Sequence, residues 1–136
     1  MLIDVSQRLG IAESFLLVSA PSSRQVRAIA EEIMDEIGRD YHIIPQRIEG
    51  RREGTWVLAD YGDVVIHVMR HGEVDNPDGI LYGRLPGYGL TDLGLEMAEA
   101  VAEYFVDSGA DITHVVASPL LRAQMSAAPT ALSYEL

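Results

Sequence analysis

Apolar residues recur along the chain with two different periods, and the changes of period outline the elements. Leu2-Ile3-Asp4-Val5 and Phe15-Leu16-Leu17-Val18-Ser19-Ala20 read as short strands, the second a near-continuous apolar run suited to a buried position. Ser22 and Gln25 stand at capping-box spacing, and Val26, Ile29, Ala30, Ile33, Met34 and Ile37 follow at helical intervals. Gly38 is placed to end this helix, whose outward face carries Arg27, Glu31, Glu32, Asp35 and Glu36. Residues 45–50, 55–61 and 64–69 read as strands joined by short turns, an antiparallel meander.

Residues 70–90 are rich in glycine and proline, a loop long enough to suggest function. Thr91 caps a second helix with Leu93, Met97, Ala100, Val101, Tyr104 and Phe105 on its apolar face, ending near Ser108-Gly109. Residues 112–117 form a further strand, and Ser118-Pro119 opens a third, shorter helix. Strand 64–69, helix 91–107 and strand 112–117 then make a right-handed parallel β-loop-α-β unit. The expectation is an α/β fold with a mixed sheet of about six strands. Its N-terminal half is an antiparallel meander and its C-terminal half a parallel unit. Two modules, 1–68 and 64–136, share strand 64–69 in one compact body. Residues 131–136 carry no readable pattern.

Composition narrows the function. The 136 residues include no cysteine, so disulfides and thiolate metal sites are excluded. No apolar stretch is long enough to span a bilayer, and Met1-Leu2-Ile3-Asp4 lacks the pattern of a secretion signal, so no membrane partner and a cytoplasmic location are expected. The net charge of −11 argues against direct nucleic-acid binding but suits a basic protein surface. All ten basic residues are arginine, and only three of them, Arg70, Arg84 and Arg122, fall in residues 69–136.

Two of those three fall into a pattern. Arg70-His71-Gly72-Glu73 follows one apolar strand and Ser118-Pro119-Leu120-Leu121-Arg122-Ala123 follows the next, which places both at the carboxyl ends of strands, where α/β sheets bind ligands. An imidazole beside two guanidinium forks suits a phosphoryl group, and Gly72 allows close backbone approach. The tetrapeptide alone could be chance; the second half at the expected place weakens that reading. His67 and His71 are four apart but span a strand end, so helical metal-pair geometry fails and no metal or cofactor is expected. His114, inside a strand, reads as structural.

On these residues, with Gly83 and Leu90-Thr91-Asp92-Leu93-Gly94, residues 64–129 resemble the N-terminal half of the histidine phosphatase (phosphoglycerate mutase-like) family. The resemblance implies that His71 is the phosphorylated nucleophile, with Arg70, Arg122 and Asn76 holding phosphate. Asn76 stands one residue closer to the histidine than is usual, and Ser126 replaces a common threonine. The family's second histidine and its proton donor find no counterpart in the 14 residues after Arg122. General acid–base help is worth about 10²–10⁴-fold, so phosphate binding without turnover is expected.

Residues 1–68 show no nucleophile–base pair, and the plain reading is a scaffold. Phe15 to Ala20, Ser23 to Ala30, Arg47-Ile48-Glu49-Gly50 and Trp56 to His67 resemble the ribosomal silencing factor (Iojap) family. That resemblance implies binding to a large-subunit ribosomal protein and translation repression, without catalysis. Trp56, Leu58 and Asp60 share one strand face and Val57, Ala59 and Tyr61 the other; Trp56, Leu58, Asp60 and Tyr61 are the candidate partner residues, and the alternative is that Trp56 is core. A fusion, a truncated product and a chimera are all consistent with two partial families. The leading expectation is a ribosome-binding silencing module, its rival phosphoryl transfer through His71 on a phosphomonoester, and the third a folded chimera without activity.

Overall fold

In the computed structural model, which describes residues 14–20 and 22–136 and side chains from residue 22 onward, strand β1 (Ser14–Ala20) feeds helix α1 (Ser23–Tyr41). Ser22 is the cap: its backbone is extended and its side chain accepts from the Gln25 amide at 3.2 Å, satisfying one of the orphan donors of the first turn. The helix does not stop at Gly38 as expected. It runs on to Tyr41 and ends where His42 takes a left-handed conformation, φ 57°. A mid-helix glycine costs only about 1 kcal/mol of propensity, too little to break a helix held by its buried Val26 and Ala30.

Strands β2 (Arg47–Glu49), β3 (Trp56–Asp60) and β4 (Val64–Arg70) form an antiparallel meander, with Ile48 opposite Ala59 and Leu58 opposite His67. The turn between β2 and β3 is clamped to α1. Arg51 forks onto Glu31 at 2.5 and 2.8 Å, and Arg27 Nη1 donates to the Arg52 carbonyl at 3.0 Å.

The sheet order is β2-β3-β4-β1-β5, with five strands among the described residues; the sixth expected strand, 2–5, lies outside them. The order corrects one expectation: the strands flanking the second helix do not pair with each other. β1 lies between β4 and β5 (His114–Val115) and runs parallel to both, with Ala20 level with Arg70 and Leu16 level with His114. A near-continuous apolar strand is suited to a central position with neighbours on both edges.

Period-two alternation separates the two faces of the sheet. Val57, Ala59, Ile66 and Val68 pack under α1 with Val26 and Ala30. Trp56, Val65 and Met69 face the opposite way, toward Phe105 of α2 (Asp92–Asp107), Ala127 of α3 (Leu121–Ser133) and Ile112 in the segment after α2. The buried stripe of α2 is Gly94, Ala98, Ala102 and Phe105, while Leu93, Met97 and Tyr104 of the expected apolar face are about half exposed. α2 lies against α3, which buries Ala123 and Ala127, and small residues let the two helices approach. As expected, α3 is the shortest of the three described helices, and it passes through Pro129 to Ser133. The unpatterned tail also has an anchor, because Tyr134 packs on the second core and its hydroxyl donates to the Ala110 carbonyl at 2.7 Å. No helix among the described residues is long and apolar enough to cross a membrane.

Candidate functional site

The site begins where β4 ends. Arg70 is exposed at the last position of the strand, and the next residue, His71, is only 5% exposed. Two glycines make that turn possible. A Cβ on Gly72 would stand 2.5 Å from the Gly94 carbonyl oxygen, and one on Gly94 would strike the Glu73 carbonyl, so loop and helix touch backbone to backbone. Gly72 therefore works through close packing on α2. Its amide donates to Ser126 Oγ at 3.0 Å.

The His71 Nδ1 lies 2.8 Å from the Gly72 carbonyl oxygen. A carbonyl can only accept, so Nδ1 carries the hydrogen and Nε2 keeps its lone pair. That Nε2 is buried and has no hydrogen-bond partner among the described residues. Burial pushes the His71 pKa below its ordinary value; the hydrogen bond to the Gly72 carbonyl opposes it in part, and the charges of Arg70 and Arg122 add smaller downward effects. The imidazole is thus held neutral and oriented.

Arg122 sits in the first turn of α3 and is 1% exposed. Its Nη2 donates to the Gly83 carbonyl at 2.6 Å and its guanidinium lies 4.8 Å from the centroid of the Tyr82 ring. Its Nε and Nη1 have no partner among the described residues. Ser126, four residues further along the helix, donates to the Arg122 carbonyl at 2.8 Å while accepting from Gly72. The motif marks Ser126 only as a replacement for a common threonine. The spacing of four from Arg122 was the signal that it shares the site's face of the helix.

Arg70, His71, Gly72 and Asn76 line one cleft of about 680 Å³, together with Tyr82 and Ser126; Arg122 is not among its lining residues but borders it through its contacts with Tyr82 and Ser126. Asn76 shapes its own loop: its side chain donates to the Ile80 carbonyl and accepts from the Ile80 amide, at 3.0 and 3.2 Å. An antiparallel bridge between Val74 and Leu90 and the 5.0 Å stacking of Tyr82 on Tyr88 hold the rest of the long loop.

The candidate partner residues lie elsewhere. Trp56 is half-buried, donates from Nε1 to His67 Nδ1 at 2.9 Å, and meets Tyr104 and Phe105 edge-on at 5.6 and 5.5 Å. Leu58 is half-buried on the same side of the strand, Asp60 pairs with Arg47 at 3.6 Å, and Tyr61 packs on the core beneath α1. His114 is half-buried beside Thr113. No group of three or more His, Asp or Glu side chains able to hold a metal ion occurs among the described residues.

Fold and site together define a mixed α/β protein with an oxyanion-suited histidine–arginine site at a strand's carboxyl end. The chain belongs to two families: residues 1–73 match the model of the ribosomal silencing factor during starvation, and residues 66–136 that of the histidine phosphatase superfamily (branch 1). The matches overlap across the end of β4 and the Arg70-His71-Gly72-Glu73 turn. An uncharacterised protein of Mycobacterium tuberculosis is 56% identical over 71 residues, 52% of this chain and 34% of that protein. The ribosomal silencing factor of Bacillus subtilis is 43% identical over 63 residues, 46% of this chain and 52% of the factor. A crystal structure from Chromobacterium violaceum aligns at 33% identity over 49% of this chain and 55% of that one, with a TM-score of 0.41. This chain spans about half the length of the silencing factors it matches, and a third of the mycobacterial protein.

Proposed function

We propose that this chain binds the phosphoryl group of inorganic phosphate or a phosphomonoester at the end of β4, with His71 Nε2 facing phosphorus and Arg70 and Arg122 neutralising its oxygens. The observation that carries this is the pair of buried, uncommitted groups: a neutral histidine with a free Nε2, and a guanidinium with two unused N–H donors. Unpaired polar groups at such depth are costly unless a ligand completes them. A tetrahedral anion between them accepts from the arginine and presents its phosphorus to the imidazole. Calorimetric titration with inorganic phosphate tests the reading, with one site per chain expected and His71→Asn and Arg70→Ser both weakening it. Heat changes indistinguishable from buffer would refute it. Mass spectrometry after exposure to a small phosphate donor tests the further step, a phosphohistidine that disappears in His71→Asn.

A second reading, association with the large ribosomal subunit, is favoured by the silencing-factor match over residues 1–73. Because Trp56 is engaged by α2, the contact surface for that partner is assigned to the exposed acids of α1, Glu32, Asp35 and Glu36, which face away from the sheet. Co-sedimentation with isolated large subunits, lost in Glu32→Arg/Asp35→Arg, is the expected outcome. A parent chain that stays in the supernatant defeats it.

A further inference from the structure

The phosphoryl reading leaves most of the cleft unexplained. Its volume of about 680 Å³ is in the range of small-molecule sites and far larger than a phosphate needs. Beside His71 the wall is apolar: Trp56 and Met69 from β3 and β4, Met97 and Val101 from α2. Among the polar side chains of the cleft, Asn76 is committed to Ile80 and Ser126 to Gly72 and Arg122, while Thr55 and Tyr82 bring hydroxyls at its edge. The charged residues lining the cleft are Arg70, assigned to the phosphoryl group, and Glu73, which repels a second anion.

We infer that the group esterified to the phosphate is an uncharged aromatic ring, seated against Trp56, Met69 and Met97, so that the site takes aryl phosphomonoesters in preference to alkyl or free phosphate. This rests on the phosphoryl site proposed above and adds its substrate class. An aromatic ring gains from offset or edge contact with the indole and from contact with two thioethers, neither of which a polyol can match. Trp56 belongs to the silencing-factor match and His71 lies in the overlap of the two matches, while Met97 belongs to the phosphatase match. Specificity at this site is therefore composite, and Trp56 acts in it as a specificity-determining residue.

The test uses the whole chain and three probes: phenyl phosphate, glycerol phosphate and inorganic phosphate. Trp56 is the single tryptophan, so its emission reports occupancy of the apolar wall directly. Phenyl phosphate is expected to bind about tenfold or more tightly than glycerol phosphate and to be the only probe that shifts Trp56 emission. Met97→Gln, at a half-exposed position and without adding a charge that would repel phosphate, should reduce that preference while leaving inorganic phosphate binding in place. Trp56→Phe should keep the preference. Equal affinity for the three probes, or an unchanged preference in Met97→Gln, overturns the inference while the phosphate site stands. Failure of all three to bind overturns the phosphoryl reading and the inference with it.

Discussion

Replacing Arg122 by methionine separates what this side chain does for the fold from what it does for a ligand. The guanidinium is 1% exposed, and methionine fills much of the same space without a polar atom. Two contributions are lost: the charged hydrogen bond to the Gly83 carbonyl, about 1.5–3 kcal/mol, and the contact with the Tyr82 ring, about 0.5–2 kcal/mol. Two penalties vanish at the same time, the buried unpaired Nε and Nη1, each worth about 1–3 kcal/mol. These opposing amounts cancel to within about 2 kcal/mol, so Arg122→Met in phosphate-free buffer should unfold near the parent's denaturant midpoint.

Phosphate should break that equivalence. A ligand bound only by the folded state, present at about 100 times its dissociation constant, stabilises the parent by about 2.7 kcal/mol. The variant should gain nothing. Urea unfolding of both chains with and without phosphate, followed by far-ultraviolet circular dichroism, gives the four free energies. A loss above about 4 kcal/mol for the variant in phosphate-free buffer would make Arg122 a structural residue. Equal stabilisation of both chains by phosphate would remove it from the site.

Three further outcomes follow from other contacts. His67 is pushed down to about 4 by burial, and its Nδ1 accepts from Trp56, an arrangement that needs the neutral ring. The unfolded chain therefore binds more protons between about 6.5 and about 4, so stability should fall by up to about 3 kcal/mol as pH drops through that window, with His71 adding in the same direction; urea midpoints across that range check it, and His67→Gln should flatten the slope. Gly72→Ala drives a methyl into the Gly94 backbone, for an expected loss of about 1–3 kcal/mol in urea unfolding and weaker phosphate binding as the His71 turn shifts. Ser126→Ala removes the acceptor of the Gly72 amide and should cost about 1–3 kcal/mol, measured the same way.

Local signals were legible and long-range ones were not. Ser22 and Thr91 both cap as their spacing requires, because capping depends on residues three apart. The strands of the meander emerged because Gly62-Asp63 and the β2–β3 turn fix their neighbours at short range. What sequence could not carry was which strand lies beside β4. Pairing β1 with both β4 and β5 joins residues some 50 and 100 positions apart, and no periodicity encodes that choice. The inward face of α2 was misread for a related reason. Hydrophobicity favours Leu93, Met97 and Tyr104, yet the partner helix selects the small residues Ala98 and Ala102. At the site, His71 and Arg122 were marked by their motifs, whereas Ser126 and the Trp56–Met97 wall needed the fold to bring distant segments together.

The position of β4 shows why the two family segments share more than a junction. Its edges pair with β1 and β3, both inside the silencing-factor match, while its side facing α2 meets Phe105 through His67. The strand that delivers Arg70 and His71 is therefore registered by one family's strands and covered by the other family's helix. Ala20, the last residue of β1, lies level with Arg70, so the carboxyl end of β1 opens beside the Arg70-His71 turn and is followed by α1. A change that shifts β1 along the sheet moves the frame on which His71 is aimed. Binding at His71 and the integrity of the silencing-factor strands should consequently rise and fall together.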